Sequence, residues 1–141
     1  MVQKCSLPLQ KIKMISDMVN YVFYNPNPSG QRTQDCTVRA VCKAEDTDWY
    51  NVFSMFVTVC YEVCDIPGSL FVTNKVLRRL GYGRMKSENI TVEEFSKTHP
   101  TGTYIIHTKG HVVTIKDGKY YDSWDSGKKI VLDYWVKKKA P

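Results

Sequence analysis

The sequence predicts an α+β fold in one domain. Three observations predict it: apolar residues recur at spacings of three and four through the middle of the chain, short runs rich in β-branched and aromatic residues fill its last third, and Gly or Asp-Gly punctuation separates those runs. The 141 residues are one domain's worth of chain, and no internal repeat, low-complexity tract or linker divides them.

Residues 1–24 alternate polar and apolar without a clean period. They read as an N-terminal arm or an edge strand, with YVFY at 21–24 as the strand. NPNPSGQRTQ, residues 25–34, concentrates proline, asparagine, serine and glycine, which favour turns. A helix follows with Cys36 in its first turn and Val38, Ala40, Val41 and Ala44 as apolar positions; Asp35 or Thr33 is placed to cap it. A second helix runs from about Trp49 to Cys64 behind the N-cap Asp48, with Trp49, Val52, Phe53, Phe56, Val57, Cys60 and Cys64 forming a core stripe. Pro67 and Gly68 end that unit. Asn74 to Leu80 reads as a short helix stopped by Gly81, and Thr91 with Glu94 makes a capping-box pattern for another over Val92 to Lys97, halted before Pro100. TYIIHT, HVVTIK, KYYDSW and KIVLDYWV then read as an antiparallel sheet.

Composition narrows the function classes. Hydrophobic residues at 43% and charged residues at 24% exclude wholesale disorder and fibrous repeats. No apolar run reaches the length of about 18 residues that spans a bilayer, and MVQKCSLPLQKIKM lacks the apolar stretch of a secretory signal, so no membrane partner is expected. Five cysteines cannot all pair within one chain, which points to a reducing compartment, the cytoplasm. Cys60 and Cys64 resemble half a metal site, but no second Cys/His pair has zinc-site spacing, and free cysteines commonly serve as small core residues. The net charge of +6 would suit a polyanion, yet much of it lies in Lys128, Lys129 and Lys137 to Lys139, where a solvated tail is the plainer explanation; nucleic acid is not the expected partner.

The chemistry concentrates in three residues. A cysteine in the first turn of a helix feels the positive end of the helix and its free amides, which favour thiolate over thiol, and Cys36 is so placed. A thiol nucleophile needs a base. His111 opens a strand after Gly110, whereas His99 precedes a proline and His107 lies in an adjoining strand that Lys109-Gly110 separates from the one His111 opens. The orienting acid follows from strand parity. With Asp117-Gly118 as a two-residue hairpin turn, paired residues sum to 235, and His111, Tyr120, Asp122 and Trp124 project to one side. Asp122 is then the diagonal neighbour of His111, roughly 7–8 Å away between backbone positions and within side-chain reach. A three-residue loop would shift the register by one and bring Asp125 to that side instead. Trp124 would roof the Asp122 and His111 pair.

The order Cys36, His111, Asp122, with the cysteine opening the first long helix and the other two on a following sheet, resembles the papain-like cysteine peptidases. QRTQDC at 31–36, GHVV at 110–113 and DSWDSG at 122–127 carry the likeness. It covers roughly residues 25–135 in order and spacing, and GHVV is similar to the compact bacterial members, including domains that remove leader peptides. The NPNP-to-DC segment, with DSWDSG, also resembles small proteins encoded by bacteria and their phages. The resemblance implies a papain-like fold, a Cys36-His111-Asp122 triad, a peptide or protein substrate, no cofactor or metal, and a glutamine upstream of the cysteine as oxyanion donor. Gln31 stands nearer the family's spacing; Gln34 is nearer in sequence. Thr37 follows the nucleophile where the family commonly has tryptophan or glycine, and the chain is much shorter than papain. The expected reaction is hydrolysis of a peptide or isopeptide bond. The rival expectation is a binding or inhibitor protein that keeps the fold and has lost the chemistry.

Overall fold

A computed structural model describes residues 20–87 and 89–138; of the segment 1–24, expected to be an arm or an edge strand, residues 1–19 lie outside them. Four helices and a six-stranded sheet follow one another as β1 (Tyr21–Phe23), α1 (Cys36–Glu45), α2 (Trp49–Val63), α3 (Leu70–Arg79), β2 (Tyr82–Lys86), α4 (Val92–Thr98), β3 (Thr103–Thr108), β4 (His111–Lys116), β5 (Lys119–Asp122) and β6 (Asp133–Lys137). This is an α+β architecture.

The helix starts follow local chemistry. The Asp48 carboxylate accepts the Asn51 amide at 2.9 Å, and Thr91 and Glu94 satisfy one another's backbone N–H groups in a capping box. α3 begins at Leu70, four residues before the expected Asn74, because Ser69 Oγ accepts the Val72 amide and supplies a cap there. α1 departs from expectation differently. Neither Asp35 nor Thr33 caps it: the Asp35 carboxylate accepts hydrogen bonds from Asn27 Nδ2, Trp49 Nε1 and the Arg39 guanidinium instead, while Thr33 Oγ1 accepts from Asn27.

The sheet order is β1-β5-β4-β3-β6-β2. β3, β4 and β5 form an antiparallel meander, β6 returns to the far side of β3, and β2 extends it as an edge strand. The strands of the last third pair antiparallel, as expected, and β1, an edge strand that runs parallel to β5, makes the whole sheet mixed. β2 was not expected, since YGRMK has no β-branched residue; Tyr82 is buried and β6 offers the strand a partner. β6 is shorter at its start than the run KIVLDYWV, although Ile130 makes a single bridge to Thr91.

The two faces of the sheet carry separate cores. On one, α1, α2 and α3 pack Val41, Phe56, Val72 and Leu77 against Ile105, Val112 and Trp135; on the other, α4 packs Val92 and Phe95 with Ile106, Val113, Ile115 and Tyr120. Adjacent Ile105 and Ile106 face opposite layers, as strand alternation requires. Each such fully buried side chain contributes about 1.5–3 kcal/mol relative to exposure. Thr114 Oγ1 donates to the Ala40 carbonyl at 2.6 Å, which fixes α1 across β4.

The β4–β5 hairpin has the predicted register: Thr114 pairs with Tyr121, Ile115 with Tyr120 and Lys116 with Lys119. Asp117 and Gly118 both have positive φ, +49° and +78°, the two left-handed residues that such a turn needs. His111 therefore opens β4 at the same end of the sheet where Asp122 closes β5.

Among the described residues no helix is long and apolar enough to cross a membrane.

Candidate active site

Cys36, His111 and Asp122 meet at this end of the sheet. His111 Nε2–H donates to Asp122 Oδ2 at 2.5 Å, and both residues are buried, at 8% and 2% exposure. Nε2 is thereby committed to Asp122, and the His111 ring shares the wall of a cleft with the Cys36 thiol, near enough for each to shift the other's titration. Cys36 is the first residue of α1, so its own backbone N–H belongs to the unpaired set at the helix start.

The electrostatics follow from this contact set. Burial raises the Cys36 thiol, but the His111 ring, the Val112 amide and the Arg39 charge outweigh it and hold the thiol below its ordinary range. Burial lowers His111, and the bonds to Asp122 and Cys36 more than reverse that, so the imidazolium is favoured. Asp122 is raised by burial and lowered further by His111, Ser126 and the Ser123 amide, which leaves it ionised. Cys42 shows the contrast: burial, with the Asp48 and Asp35 charges adding to it, pushes its thiol up to about 12. The arrangement therefore stabilises a thiolate–imidazolium pair at Cys36 alone among the described cysteines with resolved shifts.

Asp122 accepts on both oxygens. Oδ2 also takes Ser126 Oγ at 2.7 Å; Oδ1 takes the Ser123 amide at 2.8 Å and Arg39 Nη2 at 3.3 Å. The DSWDSG segment thus wraps around the carboxylate with two of its serines. Asp125, the alternative acid, points elsewhere. It accepts Tyr120 Oη at 2.5 Å and the Gly127 amide at 3.0 Å, and a Cβ on Gly127 would lie 2.3 Å from Tyr120 Oη, so that turn needs glycine. Trp124 lies against His111 with ring centroids 4.8 Å apart, on the side predicted for it.

The other histidines are engaged in structure. His99 stacks on Phe95 at 3.8 Å and its Nδ1 bonds the Phe95 carbonyl, while His107 pairs with Asp133 at 3.1 Å.

Cys36 opens into a cleft of about 420 Å³ whose lining includes Arg32, Gln34, Gly110, His111 and Trp124. Beyond Cys36 it continues into a smaller hollow of about 160 Å³ with Leu70, Thr73, His107 and Val112 in its wall. Gln34 stands in the cleft. Gln31 does not: the loop turns back at Asn27–Gly30, where the Gly30 amide bonds the Asn27 carbonyl and Gly30 has φ +70°, and Gln31 is left exposed outside the lining. Of the four named site residues the fold therefore gathers Cys36, His111 and Asp122; the cleft lining holds Gln34 and not Gln31.

Sequence reasoning missed Arg39 and Ser126. Arg39 is an arginine on the apolar face of a helix, three residues after Cys36, and that misplacement was the available signal. Among the described residues, no group of three or more His, Cys, Asp or Glu side chains is arranged to hold a metal ion. No family model, no curated protein and no solved structure matches this chain.

Proposed function

We propose that the chain is a papain-like thiol hydrolase that cleaves a peptide or isopeptide bond with Cys36 as nucleophile, His111 as base and acid, and Asp122 as the orienting carboxylate. The observation that carries this reading is the placement of His111: its Nε2 is bonded to a buried carboxylate, and its ring lines the same cleft as a thiol at a helix start.

In the first step the Cys36 thiolate attacks the substrate carbonyl carbon, and the oxyanion is met by the Cys36 backbone N–H and the Gln34 side-chain amide. The C–N bond breaks as the His111 imidazolium gives its proton to the departing amine, leaving a thioester on Cys36. Neutral His111 then takes a proton from water, the resulting hydroxide adds to the thioester carbon, and the C–S bond breaks to release the acid and the thiolate. Asp122 stabilises the imidazolium throughout. Two adjoining hollows that share Cys36, Gly110 and His111 in their walls suit an extended polypeptide chain better than a compact small molecule.

The test is the pH dependence of Cys36 alkylation by iodoacetamide, read by mass spectrometry in the native protein and in His111→Ala. Fast labelling at neutral pH that His111→Ala suppresses is expected. Labelling no faster than at Cys42 or Cys64, and indifferent to His111, would transfer the assignment to a binding protein without chemistry.

A further inference from the structure

Arg39 lies one helical turn after Cys36, and its side chain is 6% exposed. Removing a guanidinium from water costs several kcal/mol unless partners replace the solvent. A single carboxylate one turn away would serve, and Asp35 provides it: Nη1 pairs with Asp35 Oδ1 and also meets the Thr33 carbonyl at 3.4 Å. Yet Arg39 reaches further. Nη2 crosses from α1 to the end of β5 and meets Asp122 Oδ1 at 3.3 Å, while Nε has no partner among the described residues. The guanidinium is oriented for the two carboxylates at the expense of its own third donor.

Asp35 is a fixed anchor for this bridge. Its other oxygen accepts Asn27 Nδ2 at 2.9 Å and Trp49 Nε1 at 2.8 Å, and these bonds with the Arg39 charge overcome burial and hold the carboxyl below its usual range. The contacts then run from Asp35 to Arg39, to Asp122, to His111, and back to Cys36, the residue next to Asp35. The circuit starts and ends at the start of α1, and Arg39 is the link that crosses to the sheet.

We infer that Arg39 is a positioning residue of the Cys36 site: it holds Asp122 through Oδ1 while Oδ2 meets His111, it tempers the pull of that carboxylate on the imidazolium, and by its charge beside the helix start it favours the thiolate. The inference rests on the hydrolase reading of that site. Two consequences follow from electrostatics. A cation near Cys36 stabilises the thiolate, which agrees with the direction in which Arg39 moves that thiol. The same cation draws on the Asp122 charge and opposes the imidazolium, so it moderates the pair that Asp122 builds. A residue that merely pinned α1 to the sheet would change stability and leave the titration of Cys36 and His111 in place.

The experiment follows Cys36 alkylation by iodoacetamide from acid to alkaline pH in the full chain, in Arg39→Gln and in Arg39→Lys, with circular dichroism to verify folding. The lower inflection reports thiolate formation and the upper one loss of the imidazolium proton. Arg39→Gln is expected to move both inflections to higher pH and to slow labelling several-fold on the acid side. Arg39→Lys keeps a cation but cannot grip two carboxylates at once: its lower inflection should stay near that of the wild type while the upper one still rises. Unmoved inflections in Arg39→Gln overturn the inference, and if that variant does not fold, an Arg39→Lys profile identical to the wild type overturns it. Failure of the hydrolase reading looks different, because the wild-type protein would then label slowly and without regard to His111.

Discussion

Replacing Asp122 by asparagine exchanges one oxygen for NH₂, removes the charge and tests the centre of the site. The carboxylate accepts four hydrogen bonds, two on each oxygen. Asparagine has one acceptor oxygen and one NH₂. If the oxygen faces His111 and Ser126, the NH₂ faces the Ser123 amide and Arg39, both donors; if it is turned over, the clash falls on His111. In the better orientation the buried Ser123 N–H loses its partner, at about 1–3 kcal/mol, and the bond to His111 loses its charge assistance, which is worth about another 1 kcal/mol. Arg39 keeps Asp35. The expected loss is therefore about 2–4 kcal/mol at neutral pH, a fall in Tm of roughly 6–12 °C for a chain of this size. Urea or thermal unfolding measures it directly. The pH dependence adds a signature. Because the folded Asp122 carboxyl is held below its unfolded value, its stabilisation is present above that value, ~3.9, and is lost as pH falls through the lower folded one. Because folded His111 is held above its unfolded value, its share is complete below ~6.5 and is lost as pH rises through the raised folded one. The gap between wild type and Asp122→Asn should accordingly be widest between these limits and close in acid. A gap under ~1 kcal/mol, or one that persists unchanged into acid, would refute the four-bond account.

Two further outcomes are expected. Gln34→Ala should slow turnover of an activated acyl ester by about 10²–10³ if its amide is an oxyanion donor, with Gln31→Ala near wild type; equal losses at both positions would remove Gln34 from that role. Gly127→Ala would drive a Cβ to 2.3 Å from Tyr120 Oη and break the Tyr120–Asp125 bond, so unfolding measurements should show a destabilisation of about 1–3 kcal/mol, and a neutral result would contradict the close approach.

Local signals were legible wherever one turn or one cap decides the geometry. Asp117-Gly118 set the β4–β5 register, and from it the choice of Asp122 over Asp125 follows by parity, because a one-residue slip would have exchanged them. Asp48 and the Thr91–Glu94 box marked the starts of α2 and α4 in the same way. What depends on the path of the chain in space was not legible. Gln31 and Gln34 differ by three positions, and only the turn at Asn27–Gly30 settles which of them reaches the cleft. β1 and β2 are short strands whose partners lie about 100 and 50 residues away along the chain. Asp35 looked like a cap because aspartate before a helix usually is one; its carboxylate had a stronger claimant in Arg39, whose own second partner comes from another part of the sequence.

β1 carries a mechanical consequence. The Tyr24 amide bonds the Asp122 carbonyl at 2.8 Å, and Tyr21 Oη donates to the same oxygen at 3.1 Å, so the strand ends beside Asp122. From Tyr24 the chain needs only the loop at 25–34 to arrive at the start of α1 and Cys36. That loop is a short tether between the Asp122 side of the site and the Cys36 side, and tension in it is felt at both together. Pulling β1 away from β5 would withdraw backbone support from Asp122 and drag on the first turn of α1 in the same motion, so the width of the cleft and the seating of that edge strand are one mechanical variable.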